Sequence, residues 1–464
     1  MKTQRKSFWW ISLLALLWIF GFIQFSVSAA EALTGEPSAE VPANENAMET
    51  PGNGNVSETP ETENAAEEPK ETEENEKNGW HQEGGNTYYY VSGRRKTGWM
   101  EIDGKKYYFS PKSGRMYTGK HKIGRSTYYF KANGQRRTGW VKIKKKKYYF
   151  SLKSGKMYTG KHEIGKAIYY FKKSGQMQTK WVKINEKKYY FSPKTGKVLT
   201  GRQKIGKKAY YFNKRGILQT SGWLTAGKKT YYCSGKGILK SGWMNDDGKY
   251  YYFSPKNNVM LTDWQKIGDY KYYFMPSGIE KGVLQSNCIV DTSTGSFYVD
   301  AEGIQVTSDE IVQAVGFVKS YTDSSWSAEV KLQKCFEALW RNYSYQRFYD
   351  TPAAWSMSGY ANYMFANRMG NCFRYAASYA CVARVLGYES RVAVGSVSAR
   401  NGGMTPHGWA EVNVDGTWYI CDPNMQRNYP NINSYMCTDS TYAYRHTCSV
   451  RYTLTIRKGG VSWE

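Results

Sequence analysis

The 464-residue sequence predicts a multidomain chain: a β-hairpin solenoid of about 20-residue repeats, followed by a domain of mixed helices and strands. Three observations predict it. An aromatic triplet recurs from Tyr88 to Tyr272 at spacings of 19 to 21 residues. Positive charge is confined to the same stretch, where Lys and Arg outnumber Asp and Glu by 45 to 10 over residues 79–285. From residue 307 the period and the charge both vanish and helical patterns replace them. With 41% hydrophobic residues and a mean hydropathy of -0.67, the chain is neither a polytopic membrane protein nor wholly disordered.

The first element is an address. Lys2, Arg5 and Lys6 precede an apolar run over residues 8–25, and Ser26-Val27-Ser28-Ala29-Ala30 then offers small residues at −3 and −1 of a cleavage site. Residues 1–30 are therefore expected to be a secretory signal, with no stable membrane insertion once it is removed. The run approaches spanning length, which leaves an uncleaved anchor as the alternative. Residues 31–78 hold fourteen Glu, no Asp and two Lys, with little that could be buried, so they are expected to form an acidic disordered linker. The sequence shows no LPxTG-like sorting tail, so retention at a surface is expected to depend on the repeats.

The repeats begin at Gly79. Triplets start at Tyr88, Tyr107, Tyr128, Tyr148, Tyr169, Tyr189, Tyr210, Tyr231, Tyr251 and Tyr272. A unit such as Thr138-Gly139-Trp140-Val141-Lys142-Ile143, followed by Lys147-Tyr148-Tyr149-Phe150, alternates over two short runs separated by polar residues, which is a hairpin pattern. Hairpins this short bury no face alone, so stacking into a solenoid over residues 79–306 is expected, with most of the Tyr in its core and Lys on its solvated face. Phe297-Tyr298-Val299 reads as a degenerate last unit that caps the stack.

The segment resembles the choline-binding and glucan-binding cell-wall repeats of secreted Gram-positive proteins, with Gly-Trp opening a unit and Tyr-Tyr-Phe in its middle. In choline-binding members, the resemblance implies cages of Trp and Tyr around a quaternary ammonium. Trp80, Trp99, Trp140, Trp181, Trp223, Trp243 and Trp264 hold the Trp position, while Lys120, Lys161 and Arg202 replace it in the intervening units. A cation there would repel an ammonium. Complete cages are thus expected only at Trp223, Trp243 and Trp264, the candidate ligand-binding residues, and not between Trp99 and Trp223. The basic alternating stretch is expected to bind a cell-wall polymer or anionic glycan, such as teichoic acid phosphates, with aromatic rings stacked on sugars. Nucleic acid suits the charge but not an exported protein, and none is expected.

Residues 286–464 are neutral overall, with 15 basic and 15 acidic residues, and the period is lost over the last 158, 307–464. A helix is predicted to start at Ser308-Asp309-Glu310-Ile311, and a second pattern runs through Val330, Leu332, Cys335, Phe336, Leu339 and Trp340. Gly370-Asn371-Cys372-Phe373-Arg374 opens an Ala- and Val-rich helix with Asn371 as its cap and Gly387 past its end. Cys372 then sits in the first turn, where the helix dipole favours a thiolate. Asp415-Gly416 predicts a two-residue hairpin turn that pairs Val414 with Thr417. Counting outward sets Asp422 opposite Trp409, which makes His407 and Asp422 diagonal neighbours, the arrangement in which a carboxylate orients an imidazole that activates a thiol.

These residues, with Leu386-Gly387-Tyr388, His407-Gly408-Trp409 and Asp422-Pro423, resemble the transglutaminase-like superfamily core over roughly residues 327–425. The resemblance implies a papain-like α+β fold with Cys372 as nucleophile, His407 as general base and Asp422 as its orienter. Gly408 stands where Ala is more usual. Trp340 or Tyr345 is a candidate oxyanion donor beside the Cys372 N–H. His446 and Asp439 are alternatives for base and orienter that no local pattern supports. Eight cysteines are present; Cys437 and Cys448 would close a short loop, yet no spacing demands a disulfide. No Cys or His pairs fall at ligand spacing, so neither metal nor cofactor is expected.

The expected function is a secreted thiol enzyme of the bacterial wall or surface, acting on an amide or peptide bond of a protein or peptide. Transfer to water would make it a peptidase or deamidase, and transfer to an amine a transglutaminase. The alternative is a surface adhesin or wall-binding protein whose C-terminal domain is inactive.

Overall fold

The computed structural model describes residues 76–464; the expected signal and residues 31–75 of the expected linker lie outside them. Eleven antiparallel hairpins run from Gly79 to Val299, and the eleventh, Cys288–Thr292 with Gly295–Val299, is the degenerate unit anticipated from Phe297-Tyr298-Val299.

The triplet explains the stacking. Alternation along a strand sends its first and third residues to one face. Phe109, Phe130, Phe150, Phe171, Phe191, Phe212, Phe253 and Phe274 are fully buried, and most of the first Tyr residues are buried beside them. The middle Tyr faces the other way and pairs with the Trp position, as in Trp99↔Tyr108. Each Trp from Trp80 to Trp243 then packs edge-on against the first Tyr of the following unit, at 4.8 Å for Trp99 and Tyr128 and 4.9 Å for Trp140 and Tyr169. Backbone bonds fasten the stack: the segment after each hairpin bonds back to the preceding unit, with Met116 N–H donating to Thr87 O and Arg136 N–H to Lys106 O.

The last hairpin joins the C-terminal domain. Tyr298 is buried in the hydrophobic core of that domain, and the buried Asp300 carboxylate accepts Gly459 N–H at 2.7 Å. The domain is α+β. Helices α1 (Asp309–Tyr321), α2 (Ala328–Asn342), α3 (Met357–Asn367) and α4 (Cys372–Val385) precede an antiparallel sheet in the order Thr417–Cys421, Met404–Val414, Glu389–Ser398, His446–Arg457, Gly460–Trp463, with the short α5 (Pro423–Asn428) after its edge strand. Helix α4 is buried on nearly all sides because its small and apolar residues face both the sheet and the other helices.

Among the described residues no helix is long and apolar enough to cross a membrane, and all eight thiols are free. Cys437 bridges Ile420 on the edge strand, whereas Cys448 pairs with Gly395 across a strand near the opposite side of the sheet.

Candidate active site and repeat clefts

Three elements converge at the N-terminus of α4. Asn371 caps the helix, its side chain accepting Arg374 N–H, and Cys372 follows as the first helical residue, buried. Gly370 admits no substituent: a Cβ there would lie 2.6 Å from Arg374 Cβ. The Arg374 guanidinium stacks on Phe348 at 3.7 Å and pairs with Asp350 at 2.8 Å, pinning the preceding loop to the first turn of the helix.

The hairpin register matches the turn chemistry. Asp415 and Gly416 take φ of 50° and 85°, Val414 pairs with Thr417, and the ladder reaches Ala410↔Cys421, one pair short of Asp422. His407 Nε2 lies 2.6 Å from Asp422 Oδ2, with the two side chains 6% and 1% exposed. Asp422 is further fixed as the cap of α5, its Oδ1 accepting Met425 N–H at 2.9 Å. Burial opposes charge on His407, but the Asp422 carboxylate and the adjacent Cys372 sulfur outweigh it, raising the imidazole to about 10. With Nε2 committed to Asp422, Nδ1 is the nitrogen left for the thiol. A thiol, an imidazole and a carboxylate placed in this order are the groups that nucleophilic thiol chemistry requires.

Gly408 has a local cause. A Cβ at this position would come 2.5 Å from Phe373 Cδ1, so Phe373 occupies the room an alanine methyl would need.

The remaining candidates separate. Tyr345 pairs alongside Gly370, and burial together with the Cys372 sulfur raises its phenol, so it borders the thiol. Trp340 is half-buried at the end of α2, with Arg341 over its ring and its carbonyl accepting from Arg427. His446 and Asp439 do meet, at 3.1 Å, but behind Trp409 and apart from His407. Tyr442 escaped the sequence reading: its hydroxyl donates to Asp422 Oδ2 at 2.7 Å from within the aperiodic segment after Cys437. No sequence spacing could have located it. Among the described residues no cluster of His, Cys, Asp and Glu is arranged to hold a metal.

The solenoid corrects one expectation. Its clefts are built on single Trp residues rather than on consecutive ones. One of about 330 Å³ lies at Trp140, inside the stretch where complete cages were not expected, lined by Tyr169, Lys142, Lys147 and Thr195. Another of about 250 Å³ lies at Trp99 with Tyr128, Lys106 and Arg136. The walls come from three successive units, so a cation at the next Trp position lies in a different cleft. Trp223 and Trp243 present half-exposed indoles, and Trp243 borders a cleft of about 700 Å³. Trp264 departs from the expected cage: Lys271 lies 4.6 Å from its ring centroid and Phe297 packs against its edge.

Comparison with known proteins gives the same division. Residues 316–423 match the transglutaminase-like superfamily. Residues 117–162 and 158–202 match the choline-binding repeat, and residues 97–116, 241–256 and 262–279 match a cell wall binding repeat. Choline binding protein F from Streptococcus pneumoniae is similar at 28% identity over 50% of this chain and 93% of that one, with a TM-score of 0.40. CbpJ from Streptococcus pneumoniae is similar at 26% identity over 50% and 94%, with a TM-score of 0.33. The modular autolysin LytC from Streptococcus pneumoniae is similar at 20% identity over 49% and 52%, with a TM-score of 0.34. No curated protein matches the chain.

Proposed function

We propose, for a chain that carries a transglutaminase-like core at its C-terminus behind choline-binding repeats, a thiol acyltransferase of the bacterial cell surface. The repeats hold the protein non-covalently on a wall polymer, and the C-terminal domain acts on an amide or peptide bond of a protein or peptide. The observation that carries the reading is the 2.6 Å contact of His407 with buried Asp422 beside Cys372 at the start of α4.

The steps follow from these groups. With the proton already held on His407, whose imidazole is raised to about 10, Cys372 Sγ adds to the carbonyl carbon as the anion, and the helix N-terminus together with Tyr345 faces the oxygen on which charge develops. His407 returns the proton to the departing nitrogen, leaving a thioester on Cys372. An acceptor, water or a primary amine, then gives its proton to His407 and attacks the thioester, and Cys372 departs as the anion beside the imidazolium, which restores the starting pair. Asp422 keeps the imidazole oriented and compensates the imidazolium charge. At the wall, the Trp and Tyr of each cleft offer ring faces, while Lys106, Arg136, Lys142 and Lys147 supply charge for phosphate.

The test gives the full chain a glutamine-containing peptide together with a primary amine and follows products by mass. An amine adduct identifies transamidation, a carboxylate in place of the carboxamide identifies deamidation, and a chain break identifies peptidase action. All three require Cys372, so a product formed equally by Cys372→Ala would overturn the reading. Pull-down on walls tests the repeats: deletion of residues 79–299 abolishes retention.

A further inference from the structure

The clefts follow one plan. Each takes the Trp of one unit, the first Tyr of the next, and the turn after the third. Trp80, Tyr107 and Asn133 form one of about 410 Å³. Trp99, Tyr128 and Ser154 form another, as do Trp140, Tyr169 and Thr195, and Trp243, Tyr272 and Glu302. The plan therefore predicts where the side chain that replaces Trp should point in the basic units.

It points to the same seat. Lys120 Nζ lies 5.4 Å from the Tyr148 ring centroid, and Lys161 Nζ lies 5.6 Å from that of Tyr189, in each case the first Tyr of the next unit. Arg202 reaches further along the same path. Its Nε and Nη2 donate to Asn258 Oδ1 at 3.1 and 2.8 Å, and Nη2 also reaches Lys256 O at 3.3 Å, both in the turn after the third unit. Asn258 is itself buried and held by a bond from Nδ2 to Lys240 O. Burial raises the Tyr231 phenol, and the Arg202 charge beside it works against that rise.

We propose that Lys120, Lys161 and Arg202 are tethered occupants of their clefts: Lys120 and Lys161 bring their own ammonium to the Tyr wall that an indole helps to frame in the Trp units, Arg202 runs its guanidinium through the same space to the turn at Asn258, and the three basic units are thereby closed to the cationic group of a ligand. The proposal rests on the reading of the repeats as wall-binding and deepens it by specifying which units bind. A tethered cation loses little freedom on seating and is present at a high local concentration, so a free ammonium competes poorly with it. Repulsion between the two cations adds to the exclusion.

Equilibrium dialysis of the full chain against radiolabelled choline counts the open clefts. Lys161→Trp and Lys120→Trp each replace the tethered cation by the side chain of an open unit, and each is expected to raise the number of bound cholines by one. Lys161→Met strips the charge at similar length and is expected to gain one weaker site, which keeps the test available should the larger side chain disturb folding. Folded variants that bind the same number as the parent chain overturn the proposal, as does a parent chain that binds no choline. Wall pull-down of the parent chain separates the two ideas, because retention without choline binding removes the tethered-cation proposal and leaves wall binding standing.

Discussion

Tyr442 donates its hydroxyl to Asp422 Oδ2 over 2.7 Å, onto the same oxygen that lies 2.6 Å from His407 Nε2. The carboxylate is thereby held from three sides, since Met425 N–H occupies its other oxygen. Burial and the Asp422 charge both raise the Tyr442 phenol, which keeps it a donor. Tyr442 is a positioning residue in this account. Tyr442→Phe retains the ring that packs against His446 and Tyr444 and deletes one bond. The rate of Cys372 alkylation is expected to fall about 3- to 10-fold, the scale of one net hydrogen bond, with a shift in its pH profile. A lower melting temperature with an unchanged profile would assign Tyr442 to packing alone.

The charge state of His407 makes stability depend on pH with a definite sign. Its folded pKa is raised, so its contribution is fully present below the unfolded value of about 6.5 and is lost as pH climbs through about 10. The stability gap between the parent chain and His407→Gln, followed by denaturant midpoint, is expected to be widest at low pH and to close toward pH 10. A gap that widens with rising pH would mean that burial wins and the imidazole is neutral.

Gly408 offers a steric check on the site. Gly408→Ala drives a methyl into Phe373, and overpacking of this kind costs about 1–3 kcal/mol. Phe373→Leu in the same chain is expected to recover part of that loss. Additive losses in the double variant would show that Phe373 is not the obstacle.

Much of this was legible in the sequence for local reasons. The period of the triplet revealed the hairpins, and Asp415-Gly416 fixed the register that brings His407 to Asp422, because a two-residue turn leaves no freedom in counting outward. Asn371 and Gly387 bounded α4 through cap chemistry. What remained hidden depended on contacts between distant segments. Tyr442 meets Asp422 from an aperiodic loop, and the clefts draw on three units at once, so reading Trp223, Trp243 and Trp264 as consecutive walls missed the geometry that places Trp140 in a cleft and Lys271 over Trp264.

The loop that Arg374 pins to the start of α4 yields another expectation. Arg374 joins Phe348, Asp350 and Asn371, so Arg374→Lys loses the planar stack and weakens the pairing with Asp350 while keeping the charge. Cleavage by an added protease within residues 346–353 should accelerate several-fold relative to the parent chain. An unchanged rate would show that this loop is held by other contacts.

Activation of Cys372 by His407 is read out by the rate at which a thiol-directed electrophile labels Cys372 in the full chain from pH 5 to 9, followed by peptide mass and repeated with His407→Ala. Labelling of Cys372 much faster than that of the other cysteines, and slowed at least about tenfold by the substitution, is expected. Labelling of Cys372 no faster than that of the half-buried Cys448, and unaffected by loss of His407, would contradict it.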